Sequence, residues 1–565
     1  MVTRISGMAS GMDIDSLVKS LMTARQGPLN KLNQQKQTLE WQRDDYRKMS
    51  TKLVTFMQDS ITKLSQSSTI NAQKASVTGN TNAVTATASS TASGTMTIEV
   101  KELATSASAL TETGKWAAAT AGKLTMGDLK DVSTPGSTPL FTADGKATVG
   151  NAQIAFKTTD TVESFVAAIN ANKDAGVTAV YSPSSGLSFT SKTVGSQSVL
   201  TSATAAKQGV TYAQDAVKSA QEEVDATSDP ADKAVAEKKL ANAKIDLETA
   251  QKVTGIDEKL QKAFGLKIDP AGNKGTDSEV IVNGLSVTNS SNTFEVSGVS
   301  LTLNAKSVGS PTTVTVAKDT EKVVKAVQDF VNAYNDVLSS VNSKIGEERY
   351  KKYTPLSSDQ KKEMSDDEIK LWEDKAKSGM LKNDPILQRT VSDMRSALIQ
   401  GVDIGRIVQV DGEPVNKPLT MTELGITTGT YDTKGKLVLD ADKLTKALND
   451  NPDIVNQFFG QNYSKATLNN NYAADDGILA KMRKISTASL ASLAEKAGTS
   501  KVSSDLTSTF LTTSLMGQRL TSIDREITNW NSRLTRIETN YYKQFTAMET
   551  AMNKYNTTMS SLSSM

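Results

Sequence analysis

The stretch from Leu515 to the last residue constrains this chain more than any other. Leu520, Ile527, Leu534, Tyr541, Met548, Tyr555 and Leu562 form an apolar column at a spacing of seven, and Ile523, Trp530 and Ile537 form a second column three residues on. No proline interrupts it, and its one glycine, Gly517, lies at its start. This pattern predicts a long helix with a coiled-coil seam. An isolated helix gains little in water beyond its propensity, so the seam requires a partner. The second column fails at Gln544 and moves one position to Phe545, Met552 and Met559. Past that point the stripe widens and turns around the helix, and a simple two-helix seam no longer accounts for its apolar surface.

A partner stands at the other end of the chain. Ile5 to Gly11 is a Gly- and Ser-rich lead-in, expected to stay flexible. Asp13 and Asp15 then occupy N-cap and first-turn positions ahead of Ile14, Leu17, Val18, Leu21 and Met22 at helical spacing. Gly27-Pro28 breaks that helix. The next carries Leu32, Leu39, Tyr46 and Leu53 at strict sevens, with Met49 and Phe56 in a companion column. Either stripe alone is explained by an amphipathic helix on a domain core. Two of them at opposite termini predict that they pack on each other, with the rest of the chain inserted between.

Between them the periodicity changes from 3.5 to 2. Val77, Val84, Met96, Ile98 and Val100 alternate with Thr, Ser and Ala, with turns at Gly79-Asn80 and Ser93-Gly94. Residues 156–192 predict a short helix bearing Val162, Phe165, Val166 and Ile169, capped by Asp160 or Thr161, followed by two strands. Residues 212–253 turn to Ala, Lys, Glu and Gln and predict an antiparallel helical hairpin, with Pro230 at the first position of its second arm. Strands resume with Val280 and Val282 running into an Asn283-Gly284 hairpin turn. Val323, Val327, Phe330, Val331, Tyr334 and Leu338 give a helix stripe that belongs to a domain core. The charge-rich run 347–377 is expected to be a mobile elaboration, unless Ile369, Leu371 and Trp372 anchor a helix in it.

Composition narrows the function. A chain of 565 residues holds three or four domains. Lys plus Arg number 64 against 62 Asp plus Glu, so neither nucleic acid nor an anionic membrane is expected as main partner. There is no Cys and no His, which removes disulfides, thiolate ligands, the commonest metal ligand and the usual base near neutral pH. Asp440 and Asp442 begin like a calcium loop, but the sixth position lacks Gly and the twelfth lacks Glu. Ser16 and Lys19 have the spacing of a Ser–Lys nucleophile pair without the motifs that accompany it. No catalytic, metal or cofactor site is expected. The opening MVTRISGMASGMDIDSLVKSLM has no signal-peptide apolar region, and no run approaches the roughly 18 apolar residues of a membrane span. Export other than by the general secretory route is the expectation.

Four segments carry a resemblance in the same order along the chain. ISGMASGMDIDSLVKSLM, the strands after Gly265 with the helix EKVVKAVQDFVNAYNDVLSSV, TMTELGITTGTYDTKGKLVLDADKLTKALNDNPDIVNQFFG and the terminal heptads all resemble the flagellar filament cap family, hook-associated protein 2. The unit at 156–192 resembles a repeat found inside flagellins. The resemblance implies an extracellular cap at the distal tip of the bacterial flagellum, exported by the flagellar secretion apparatus. It implies a ring-shaped homo-oligomer whose head domains form a plate that retains flagellin and promotes its folding and insertion. Its implied partners are itself, flagellin, hook–filament junction proteins and a cytoplasmic export chaperone on the C-terminal helix. Host mucin or a cell surface joins them if the heads act as an adhesin. The alternatives are a flagellin-like or hook-junction subunit, or a surface adhesin.

The expected fold is α+β. Terminal helices form a coiled-coil leg, with nested β-rich head domains and the helical hairpin inserted between them. Residues 1–72 would supply the N-terminal half of the leg, with 1–28 disordered in the monomer. Residues 73–112 and 272–318 would form a first head domain and 113–271 a second, 319–476 a leg domain of helices and short strands, and 477–565 the C-terminal coiled-coil leg. The expected contacts for leg packing, filament and chaperone are Leu32, Leu39, Tyr46, Leu53, Leu520, Ile527, Trp530, Leu534, Tyr541, Phe545, Met548, Met552, Tyr555, Met559 and Leu562.

Overall fold

The computed structural model describes residues 11–116, 123–465 and 471–563. The chain forms two units, Gln73–Ala317 and a second made of Met1–Ala72 with Lys318–Met565. Helices from both ends of the chain with β-rich structure between them make the mixed class expected from the sequence. The lead-in before Gly11 lies outside the described residues.

In Gln73–Ala317 alternating side chains set the layers. Strands β1 (Gln73–Gly79), β2 (Val84–Ala88) and β3 (Gly94–Glu102) leave, and β12 (Ser278–Val282), β13 (Leu285–Asn289), β14 (Thr293–Val296), β15 (Val299–Leu303) and β16 (Thr312–Lys318) return; between them come β4 (Ser108–Leu110), β5 (Gly145–Val149), β6 (Ala152–Phe156), β7 (Val177–Ser182), β8 (Gly186–Ser191), β9 (Val199–Ser202), β10 (Thr254–Ile256) and β11 (Asn273–Lys274). One sheet runs β1-β16-β3-β12-β13 and another β14-β15-β2. Ile98, Val100, Val280, Val282, Val299, Leu301 and Val314 fill a core they share. A second core lies on the sheets β11-β9-β10-β5-β6 and β4-β8-β7, where Phe156, Phe165, Ile169, Phe189 and Phe264 are buried.

The helix Val162–Ala171 is capped by Thr161, whose hydroxyl accepts from Ser164 N; Asp160 instead accepts from Lys157 N. The hairpin is longer than its sequence signature. Its arms are Ala203–Ala226 and Pro230–Gln251, and Val224, Ala236 and Leu240 form a small core of their own.

The other unit is mainly helical, with two short antiparallel strand pairs, Ile407–Val410 with Glu413–Asn416 and Ile426–Thr428 with Leu437–Leu439. Its main helices are α1 (Ile14–Arg25), α2 (Gly27–Thr55), α3 (Thr320–Gly346), α4 (Asp366–Lys377), α5 (Pro385–Gln400), α6 (Ala441–Asp450), α7 (Ile478–Ala497) and α8 (Leu515–Ser563). α2 runs on through a π-helical turn, Phe56–Ile61. The whole stripe of α3 is buried, and Phe330 lies 5.8 Å from the Phe56 ring and 5.2 Å from the Phe459 ring. Asp440, the false start of a calcium loop, caps α6 by accepting from Lys443 N.

The C-terminal segment differs from expectation, and the charged run takes the anchored of its two alternatives. Residues 477–565 are not one coiled-coil segment: α7 is buried on most sides in the core, and a non-helical run, 498–514, separates it from α8. The run 347–377 is anchored at several points. Trp372 packs 4.6 Å from Tyr353 and donates to Thr354 O, and Arg349 donates to Ala376 O and Ser378 O, while Leu371 is 66% exposed.

One prediction arises from the segment beside α6. Arg406 donates twice to Glu423, and Thr420 adds its N–H and hydroxyl, holding the Glu423 carboxyl down at about 2. A depressed carboxyl stabilises the fold above its unfolded value, near 4.5, and loses that effect as pH falls toward 2. The difference in Tm between wild type and Glu423→Gln should be present at pH 6 and close between pH 4.5 and 2. A gap that stays constant would refute it.

Candidate functional site: the terminal helices

The site is built on α8, whose apolar stripe must be covered. Lys36 of α2 pairs with Asp524 at 2.7 Å, and the Tyr542 hydroxyl of α8 donates to Asp15 of α1 at 2.8 Å. Going down the N-terminal helices while going up α8, the two contacts show both α1 and α2 running antiparallel to α8. Gln26 ends α1, and Pro28 in the first turn of α2 restarts the helix. α1 thus takes up the seam where α2 begins. Ile14 and Val18 are buried, and Asp13 caps α1 by accepting from Ser16 N. The expectation of disorder over 1–28 therefore differs from the structure at Ile14–Arg25, because helical spacing there gives α1 an apolar edge that α8 can cover.

The predicted columns divide by environment. On α8, Leu520, Ile523 and Leu534 are buried, Ile527, Trp530, Tyr541, Phe545, Met548 and Met552 are half-buried, and Tyr555, Met559 and Leu562 are 74%, 72% and 67% exposed. On α2, Leu32 and Leu39 are half-buried, and Leu39 lines a groove with Ile523 of α8. Tyr46 and Leu53 are fully buried but belong to the main core with α3, α5 and α7. The strict spacing of seven thus serves two interfaces in succession, and only the first half of the α2 column meets α8.

Tyr46 shows why. Its hydroxyl donates to Asp384 at 2.5 Å, and Lys496 of α7 donates to the same carboxylate oxygen at 2.7 Å while lying 4.9 Å from the Tyr46 ring centre. Asp384 also caps α5 by accepting from Ile386 N and Leu387 N. Burial pushes the Asp384 carboxyl up, but Lys496, Tyr46 and Leu387 N–H outweigh it and hold it below the usual carboxylate range. Burial, and then the bond to Asp384, raise the Tyr46 phenol. One carboxylate ties α2, α5 and α7 together.

Sequence reasoning passed over two further parts. Along 498–514 the chain runs over α2 and is held by side chains. Arg43 donates to Ala497 O, Arg47 to Leu506 O and Ser50 to Ser500 O. Both guanidinium groups stack on Phe510, at 4.1 and 3.8 Å from its ring centre. The signal available was the lone aromatic in a Ser/Thr run opposite two arginines one turn apart. The other part is Asp384, where Asp-Pro before an apolar run is a helix-start signature. Ser16 and Lys19 lie exposed on α1, and among the described residues no cluster of acidic side chains could hold a metal ion.

Comparison with known proteins gives this geometry a family. Residues 10–107 match the flagellar hook-associated protein 2 N-terminus, and 275–557, half of the chain, match the flagellar hook-associated protein 2 C-terminus. The chain belongs to the flagellar hook-associated protein 2 family. Residues 141–193 match the flagellin hook IN motif. Flagellar hook-associated protein 2 of Halalkalibacterium halodurans is 27% identical, with 99% of each chain covered. That of Salmonella typhimurium is 29% identical over 51% of this chain and 50% of its own. Among solved structures, the flagellar cap protein FliD D1-D2-D3 domains from Escherichia coli align at a TM-score of 0.45 and 20% identity, covering 81% of this chain and 97% of that one.

Its role is that of a filament cap of the bacterial flagellum, and the flagellin-like, hook-junction and adhesin alternatives are not favoured. The matched family and its curated relatives are hook-associated proteins of the flagellum. Among the described residues no helix is long and apolar enough to cross a membrane.

Proposed function

We propose that the chain works as a ring of identical subunits whose heads, Gln73–Ala317, form a plate over the growing filament tip, and whose α1–α2–α8 legs engage the uppermost flagellin subunits. The plate holds secreted flagellin while it folds and inserts. The observation that carries this reading is the end of α8, where cover stops and Tyr555, Met559 and Leu562 lie exposed in one helical stripe. A line of large apolar side chains left in water marks a docking surface. Leu17 and Leu21 add exposed apolar surface on α1, and Met12 adds more just before its cap. The same end of α8 is where a cytoplasmic export chaperone would bind before passage through the flagellar secretion apparatus, for which a chain without cysteine is suited. Hook–filament junction proteins are the neighbours at the start of filament growth, and a host surface is a partner only if the heads bind one.

The reading is tested by electron microscopy of filament tips in cells with and without the protein, together with light scattering of the purified chain. A plate at the tip, an oligomer in solution, and flagellin lost to the medium when the protein is missing are the expected results. Filaments of normal length in its absence would overturn the proposal.

A further inference from the structure

We infer that the five-stranded sheet of the head is continued from one copy of this chain to the next, with β13 of one copy pairing edge to edge with β1 of its neighbour. This rests on the reading of the protein as a ring of identical subunits. β1 and β13 are the two outer strands of that sheet. In the β12–β13 hairpin, Asn283 and Gly284 both stand at positive φ, 51° and 87°, as a two-residue turn requires. Val282 and Leu285 flank the turn as a hydrogen-bonded pair, so Ser286 and Thr288, opposite Ile281 and Glu279, aim their backbone N–H and C=O away from β12. Among the described residues no backbone hydrogen bond from outside the hairpin reaches either residue. Leu285–Asn289 also lacks the proline, lysine or bulge that usually blunts such an edge.

Two outer strands elsewhere in the head are covered. Asn170 donates to Ala179 O and accepts from Ala179 N, both at 2.8 Å, sealing β7. Asn273 donates to Ser108 O and Lys267 N to Leu110 O, sealing β4.

The two outer strands complement each other. On the core side of the sheet, Leu285 is 70% exposed beside Val282, and Val287 is half-buried beside Val280. On β1, Ala75 and Val77 are half-buried against the same core. A neighbour's β1 set against β13 would prolong the apolar row and cover Leu285. On the outer side, Glu279 and Lys74 are both exposed, and neither makes an ion pair among the described residues. The pairing would put them two strands apart, within reach of a lysine side chain. Because the edges differ, the contact is head-to-tail, and it closes into a ring when the rotation between copies allows.

The test is sedimentation and light scattering of the full chain over a range of concentrations. Thr288→Pro removes an N–H aimed off the sheet and leaves the bonds to β12 intact, and it should raise the dissociation constant about tenfold. Lys74→Glu and Glu279→Lys should each weaken assembly about fivefold, and the double variant should restore it. A head melt unchanged by these substitutions shows that the effect lies at the interface. If the wild type assembles and Thr288→Pro assembles equally well, or the charge swap fails to restore, edge pairing is overturned while the ring stands. A wild type that stays monomeric at every concentration overturns both.

Discussion

Asp384→Ala should lower the stability of the helical unit by about 3 kcal/mol, the largest loss we expect from truncating one polar side chain in this protein. Three losses combine. The α5 cap goes, because Ile386 N and Leu387 N, both at 3.1 Å, lose their acceptor, at a cost of about 1 kcal/mol. The Tyr46 hydroxyl is left buried with nothing to donate to, which costs about 1–3 kcal/mol. Lys496 loses its counter-charge, but its side chain is 32% exposed and can turn to water, which keeps the total below that of a fully buried pair. Asp384→Asn keeps one oxygen to accept from Ile386 N and Leu387 N, so the cap is retained. Its amide nitrogen then stands where Tyr46 and Lys496 donate, so the Tyr46 hydroxyl can only accept there, and the variant should cost about half as much.

The wild-type carboxyl is depressed in the folded state, so its contribution is complete above the unfolded carboxylate value, near 4, and is lost as pH falls through the folded value. Hydrogen exchange in α5 and α7 at pH 7 and at low pH would measure this without requiring the two units to unfold together. Alanine and asparagine variants with equal stability at pH 7 would refute the account.

Leu534→Asp should detach the lower part of the leg while leaving the rest of the molecule folded. Leu534 is the last residue of its column that is buried, at 7% exposure, and it lies on α8 between the contacts at Asp524 and Tyr542. Losing its packed side chain costs about 2–5 kcal/mol, and a desolvated carboxylate adds to that. An antiparallel helix pair held at few points opens locally, so the loss should appear as faster exchange in α1 and the second half of α8, with the head unchanged. In cells we expect flagellin monomers in the medium and short filaments. Tyr555→Asp separates docking from folding: Tyr555 is exposed, so helix protection should be unaltered while flagellin loss persists. Normal filaments with both variants would sink the role given to α8.

Much of this was legible because periodicity is local. The stripe of α3, the N-cap at Asp13, the Asn283-Gly284 turn and Pro230 at the head of a helix all follow from residues within a few positions of one another. Interactions across long separations were not legible. Asp384 meets Tyr46 from 338 positions away, and Arg47 meets Leu506 from 459. Apart from the lone Phe510, a stretch of Ser and Thr does not announce that its carbonyls will be held by arginines from the other end of the chain.

The sequence by itself determined that helices at the two ends carry apolar stripes, that β-rich structure is inserted between them, and which face of each element is apolar. Spacing and hydrophobicity are enough for that, since each element must hide one face whatever it packs on. Only the tertiary structure decided which partner hides which part. Tyr46 and Leu53 turn to α3, α5 and α7, Leu39 turns to α8, and α1, not a longer α2, covers α8 around Tyr542. Burial of apolar surface is non-directional, so a heptad stripe demands a partner without naming it. The choice falls to contacts with geometry, here Asp384 with Lys496, Lys36 with Asp524 and Asp15 with Tyr542.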